Sequence, residues 1–167
     1  VIVTNGLSKA YGLPGLRIGW VVAPTEVAAR LWSYRDYTTI APSTLGDQLA
    51  QMALEPQMRE RILQRTRQIL QTNYPLLAAW LRNHTESFAF VEPRAGAIAF
   101  LRYQIDLNST ALVERLLAEK SVLIVPGDHF GLDRHLRIGY GAPADYLRTG
   151  LDRIHDLLTE LQCATGC

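Results

Sequence analysis

Lysine is almost absent from this chain, with only Lys9 and Lys120 present, while arginine is plentiful. Cysteine is as scarce. Cys163 and Cys167 both sit at the extreme C-terminus, which makes no disulfide framework and leaves a reduced, cytoplasmic setting as the expectation. The four histidines, His84, His129, His135 and His155, are dispersed and lack ligand spacing, so no metal site is expected. No apolar run approaches the roughly 20 residues that a membrane span needs. No basic segment leads into an apolar one in the manner of a secretion signal. A net charge of +1 removes the electrostatic reason to propose nucleic acid or a membrane surface as partner. What remains is an ordinary globular composition, 48% hydrophobic and 20% charged over 167 residues. That is enough for one domain, or for a small domain with part of another.

The stretch from Thr4 to Trp20, Thr-Asn-Gly-Leu-Ser-Lys-Ala-Tyr-Gly-Leu-Pro-Gly-Leu-Arg-Ile-Gly-Trp, organises the rest. A strand-like run, Val1-Ile2-Val3-Thr4, feeds a loop that carries Ser8 and Lys9. Gly12, Pro14 and Gly15 hold the loop tight, and Arg17 leads into a second apolar run from Ile18 to Ala23. Glycines there let a backbone approach a ligand closely. A lysine amine attacks carbonyls once burial or a cationic neighbour lowers its pKa. A guanidinium offers a fixed fork suited to phosphate. An aldehyde-bearing cofactor with a phosphate tail would use both, whereas a Ser-Lys pair in a glycine-rich turn is otherwise an ordinary solvated loop.

The thirteen-residue run Ser-Lys-Ala-Tyr-Gly-Leu-Pro-Gly-Leu-Arg-Ile-Gly-Trp closely resembles the cofactor-lysine segment of the class I/II aminotransferases. These are the fold-type-I enzymes that use pyridoxal 5′-phosphate. The resemblance implies that Lys9 forms the internal Schiff base and shuttles a proton between substrate and cofactor. It implies that Arg17 binds the cofactor phosphate and that Ser8 supports the same phosphate site. One position departs from the pattern: Gly6 stands where the family usually has a phosphate-binding serine. Backbone amides would then supply those hydrogen bonds.

The remainder reads as follows. Residues 1–4 and 18–23 are almost continuously apolar, as in strands buried on both faces of a helix-covered sheet. Thr25 is placed to cap a helix with Val27, Leu31 and Tyr34 on one face. A second helix spans residues 45–54, apolar at Leu45, Leu49, Met52 and Ala53. The longest helical pattern covers residues 56–83, and Pro75 should kink or restart it. Its arginines Arg59, Arg61, Arg65 and Arg67 have no aromatics between them and read as a solvated face. Strands follow at residues 88–91, 97–103, 122–125 and 136–140. A helix at residues 110–120 is capped by Asn108 or Ser109, and a last helix opens at Pro143. Its apolar face is Tyr146, Leu147, Leu151, Ile154, Leu158 and Leu161. The order makes an α+β small domain with helices on one side of a sheet.

Arg137, between Leu136 and Ile138, is the second residue with chemistry to explain, because charges are seldom buried without a partner. Spacing alone allows an edge-strand arginine facing water, or one paired with Asp128 or Asp133. Val-Pro-Gly-Asp-His-Phe-Gly followed by Leu-Arg-Ile-Gly-Tyr also resembles the family's C-terminal motif. There the strand arginine grips the substrate α-carboxylate through a bidentate pair. Arg134 and Arg148 match no motif position.

The resemblance covers nearly the whole chain, to about Leu161. In the family the lysine segment lies well past the middle, and this chain opens on Val1 inside a strand-like run. The expectation is therefore the C-terminal portion of a longer enzyme. Residues 1–54 would be an α/β remnant holding two strands of the large-domain sheet, residues 55–83 a linking helix, and residues 84–167 the α+β small domain. Exposed apolar surface and a naked sheet edge should result. The implied reaction moves an amino group between an amino acid and a 2-oxo acid in a homodimer. Alternatives are a lyase, decarboxylase or cyclase of the same fold, or an inactive folding and association module.

Overall fold

The structure is a computed structural model and describes residues 1–165, so Cys167 lies outside the described residues. Two compact units divide the chain, Val1–Gln68 and the remainder from Ile69 onward. Each is built around its own apolar cluster.

In the first unit, β1 (Val3–Gly6) and β2 (Gly19–Val22) form an antiparallel ribbon in which Val3 faces Val22 and Gly6 faces Gly19. A single-turn 3-10 helix at Pro14–Leu16 lies in the connecting loop. The helices α1 (Thr25–Arg35) and α2 (Thr44–Leu54) follow, and α3 (Pro56–Arg82) begins in this unit. The cluster is small: Leu7, Tyr11 and Ala50 are buried, with Leu13, Ile18, Trp20, Ile62 and Leu63 packed around them.

Several sequence expectations need correction here. The two strands are largely exposed, not buried on both faces, because nothing in the described residues covers the ribbon. Thr25 is the first helical residue of α1; Pro24 occupies the capping position, with no side-chain cap bond. No residue of α1 is buried, and Leu31, Trp32 and Tyr34 all face outward. In α2 the large apolar residues Leu45, Leu49 and Met52 are exposed, while the small face of Gly46, Ala50 and Ala53 is buried. Small residues let a helix approach its neighbour closely, so size, not hydrophobicity, decides which face turns in. The expected exposed apolar surface is present on this unit, from Val1 and Val22 to Ile40 and Met52.

The second unit holds a four-stranded antiparallel sheet in the order β3 (Phe88–Phe90), β4 (Ile98–Tyr103), β6 (His135–Gly139), β5 (Val125–Pro126). The helices α4 (Ser109–Lys120) and α5 (Ala144–Thr165) complete it with the end of α3. The strand pattern has a period of two. Ala99, Leu101, Tyr103, Leu136 and Ile138 are buried in one cluster with Leu112 and Leu116 of α4 and Leu151, Ile154 and Leu157 of α5. Each buried leucine or isoleucine among them is worth about 1.5–3 kcal/mol of burial. Asn108 caps α4, accepting from the amides of Thr110 at 3.0 Å and Ala111 at 3.3 Å.

Here too the structure amends the reading. The strand expected over residues 122–125 shrinks to Val125–Pro126. Helix α3 runs through Pro75 without restarting. A proline removes one backbone bond, and packing of Leu77, Ala78 and Leu81 outweighs that loss. Tyr146 is exposed, and Leu157, absent from the predicted face of α5, is fully buried.

Candidate active-site residues

Lys9 sits in the loop between β1 and the 3-10 turn, and three backbone bonds tie that loop. Leu7 N–H donates to the Ile18 carbonyl at 3.0 Å, Leu13 N–H to Leu7 at 2.9 Å, and Gly12 N–H to the Lys9 carbonyl at 2.9 Å. The Lys9 side chain is exposed, and no hydrogen bond or ion pair engages its amine among the described residues. Lys120 differs: its amine lies 2.5 Å from Glu160 Oε1. The Ser8 hydroxyl is half-buried and equally uncommitted.

Arg17 adopts a left-handed backbone with φ 55°, which turns the chain out of the 3-10 helix toward β2. One arm of its guanidinium donates to the Pro14 carbonyl at 3.2 Å, and no carboxylate pairs with it among the described residues. It borders a cleft of about 680 Å³ together with Arg35, Thr38, Thr39, Ser43 and Asp47. Lys9 is not among the lining residues of that cleft. The departure at Gly6 has a steric reason. A Cβ there would lie 3.1 Å from the Ile18 carbonyl oxygen and 3.3 Å from the Gly19 Cα, so a serine would force the ribbon to shift. The Gly6 amide is taken by the Asn5 side chain at 2.7 Å.

Arg137 lies in β6, which is flanked by β4 and β5, so it is not an edge-strand residue. Its neighbours across the strands are Phe100 and Val125, and its guanidinium carbon stands 5.9 Å from the centre of the Phe130 ring. The side chain is half-buried on the face opposite Leu136 and Ile138, and it borders a cavity of about 500 Å³. Neither carboxylate suggested as a partner is available. Asp128 accepts from Thr110 Oγ1 at 2.8 and 2.9 Å and from Asn108 Nδ2 at 3.0 Å. Asp133 accepts from the Ser109 amide at 2.8 Å and the Arg134 amide at 2.7 Å. The Thr110 bond, and the Ser109 amide in the second case, hold these carboxyls below the usual carboxylate range. Arg137 therefore presents a guanidinium with no carboxylate partner among the described residues, on an inner strand of the sheet. Arg134 is accounted for by an exposed contact with Asp106 at 3.7 Å.

The structure also reveals contacts that composition hid. Arg59 Nε lies 3.3 Å from the Tyr11 hydroxyl, and Arg65 donates to the Tyr11 carbonyl at 3.3 Å. These two arginines stay on the exposed face expected of them, and each also reaches the residue two places beyond Lys9. Nothing in the spacing of four arginines distinguishes them, although Ile62 and Leu63 between them face the same cluster. Asn73, buried in α3, donates to the carbonyls of Tyr140 and Ala142 at 2.8 and 2.6 Å. A lone asparagine between Leu70 and Leu77 was the available sign.

The family model described as "Aminotransferase class I and II" matches residues 1–154. The chain belongs to this family. Class I and II aminotransferases are pyridoxal-phosphate-dependent, and the fold here is that of their fold-type-I members, of which the chain spans about 40%. The chain is 38% identical over 165 residues to capreomycidine synthase of Streptomyces vinaceus, covering 95% of this chain and 40% of that protein. It is 27% identical over 162 residues to aspartate aminotransferase of Pyrococcus abyssi, covering 95% and 41%. Among solved structures, a PLP-dependent aminotransferase from Streptococcus suis superposes with a TM-score of 0.90 at 35% identity, covering 95% of this chain and 42% of that one. The PLP-dependent cyclase OrfR superposes with a TM-score of 0.87 at 30% identity, covering 95% and 43%. An unpaired amine and a carboxylate-free guanidinium are donors that an aldehyde-bearing phosphate ester requires, so the residues present fit the family's cofactor.

Proposed function

We propose that this chain carries the amine and carboxylate-binding chemistry of an aminotransferase that moves an amino group between an amino acid and a 2-oxo acid. The observation that carries this reading is the contrast between the two lysines: Lys120 is paired with Glu160, and Lys9 has no partner among the described residues on a loop held by three backbone bonds. Pyridoxal phosphate, when bound, supplies an aldehyde for the amine and a ring that accepts electrons. Lys9 Nζ would be the residue that holds the aldehyde covalently, and its amine would be the base that carries the substrate Cα proton. The Ser8 hydroxyl and the Arg17 fork hold the phosphate. In the second unit, Arg137 takes the α-carboxylate in a bidentate pair, beside the half-buried Phe100. The division proposed is residues 1–54 as large-domain elements, 55–83 as the linking helix and 84–167 as the small domain. A second copy of the chain is the partner proposed, in keeping with the apolar side chains exposed on the first unit. The cytoplasm is the setting proposed, on the cysteine usage described above.

A second reading keeps these residues and changes the reaction to a cyclisation. The 38% identity with a capreomycidine synthase, and the superposition on a PLP-dependent cyclase, favour it. A transaminase transfers 15N from a labelled amino acid to a 2-oxo acid acceptor, and a cyclase consumes no acceptor. The test of the shared step is borohydride trapping after addition of pyridoxal phosphate, followed by peptide mapping. Label at Lys9 and not at Lys120 is expected, and equal label on both overturns the reading.

A further inference from the structure

The backbone around Lys9 is held from outside the loop as well as within it. Tyr11 is 5% exposed and is fixed at three points. Its ring meets Trp20 edge-on at 6.5 Å, its hydroxyl accepts from Arg59 Nε, and its carbonyl accepts from Arg65 Nη2. Arg59, Ile62, Leu63 and Arg65 lie within two turns of α3, so the two guanidinium groups bracket the apolar contact that Ile62 and Leu63 make with the unit's cluster. Gly12 completes the fit. It has φ +63°, and a Cβ built on it would stand 2.8 Å from Arg65 Nη2. Any side chain on residue 12 would therefore meet the tip of Arg65 where it reaches the Tyr11 carbonyl, and the guanidinium would have to move aside. Of the other two arginines, Arg67 pairs with Glu60 on the exposed surface at 3.1 Å, and Arg61 is exposed.

We propose that Arg59 and Arg65 are positioning residues for Lys9, acting through Tyr11 to hold the loop so that the amine meets a phosphate-anchored aldehyde in one geometry. This rests on the reading of Lys9 as the cofactor lysine. The physical argument is preorganisation. The amine itself is free to react, and its reach is set by a backbone that would otherwise sample many conformations. An arginine acting through a carbonyl supports the reacting residue in the way that outer groups orient a metal ligand. Both donors are charged and both acceptors, one hydroxyl and one carbonyl, are neutral, and at 3.3 Å each bond is long.

The experiment uses the full chain, the variants Arg65→Gln, Arg65→Lys and Tyr11→Phe, and two probes. Pyridoxal phosphate with borohydride reads placement, and formaldehyde with a mild hydride reads only amine exposure. Lys120 in the same molecule is the internal reference for both. In Arg65→Gln the Lys9:Lys120 trapping ratio with pyridoxal phosphate is expected to fall about tenfold, with Arg65→Lys regaining most of it. Tyr11→Phe, which loses only the Arg59 contact, is expected to fall less. The methylation ratio should stay within about twofold throughout, because the amine is exposed in every variant. A trapping ratio unchanged in Arg65→Gln, or one that changes in step with methylation, overturns the proposal. Amide exchange at Gly12 and Leu13 supplies a readout without cofactor. It should quicken about tenfold in Arg65→Gln while the β4 amides hold, and unchanged exchange also overturns the proposal. If the wild-type chain shows no label at Lys9, the cofactor reading fails, and the exchange result still decides whether the two arginines hold the loop.

Discussion

Asn73 Nδ2 donates to the Tyr140 carbonyl at 2.8 Å, joining the middle of α3 to the end of the strand that carries Arg137. The same nitrogen donates to Ala142, and the Tyr140 hydroxyl donates to the Gly96 carbonyl at 2.6 Å. One asparagine thus satisfies two carbonyls where β6 gives way to α5, and it is 3% exposed. Removing it leaves both carbonyls without that donor.

Asn73→Ala should therefore cost roughly 1–3 kcal/mol of stability in denaturant unfolding. Asn83→Ala, at the exposed residue just after the same helix, is the control and should change stability by less than about 0.5 kcal/mol. Equal effects would show that the buried contact contributes nothing special.

Arg137→Ala should weaken the amino-acid substrate and spare its decarboxylated amine. The loss expected in kcat/KM for the amino acid is about tenfold to a hundredfold, and the amine should change by less than about threefold. Arg137→Lys should recover only part, because an ammonium cannot form the bidentate pair. Parallel losses for both substrates would remove the carboxylate role.

Asp128 and Asp133 carry a pH signature. Their carboxyls titrate below the ordinary value of about 3.9, because Thr110 and the Ser109 amide favour the ionised forms. A depressed folded pKa means that this stabilisation is complete above the unfolded value and lost as pH falls through the folded one. Thermal midpoints should thus drop on acidification below about pH 4. Asp133→Asn should flatten that drop while lowering the midpoint at pH 7. An unchanged acid slope in Asp133→Asn would remove the linkage.

Gly12→Ala should cost at least about 1 kcal/mol, the usual penalty for an L-residue in the left-handed region. A second contribution comes from Arg65, whose guanidinium occupies the space a Cβ would need. In an Arg65→Ala background the same substitution should cost less, with a coupling of about 0.5 kcal/mol or more in a double-mutant cycle. Strict additivity would separate the glycine from the arginine.

Most elements were legible in the order of residues, because period and punctuation are local. The alternation of Leu136, Arg137 and Ile138, the turn at Pro126-Gly127 and the Asn108 cap follow from side-chain direction and from the orphan amides of a helix start. Burial was less legible wherever two apolar sets competed. In α2 the larger residues read as the inward face, and the close approach permitted by Gly46, Ala50 and Ala53 reversed it. Pro75 read as a break, since a missing bond is local while the packing that overrides it is not. For Arg137, spacing left open a salt bridge that the capping duties of Asp128 and Asp133 remove.

By itself, the amino-acid sequence determined the chemistry on offer: one lysine in a glycine-rich loop, an arginine eight places on, and an arginine inside an apolar strand. Those are covalent facts, and a motif of adjacent residues needs no folding to be read. Only the tertiary structure decided which charged groups are spent and which are free. Lys120 is spent on Glu160, Arg59 and Arg65 on Tyr11, while Lys9 and Arg137 have no hydrogen-bond or ion-pair partner for their functional atoms among the described residues. Pairing depends on distances of about 3 Å between residues tens of positions apart, and chain order does not encode such distances until the backbone has closed around them.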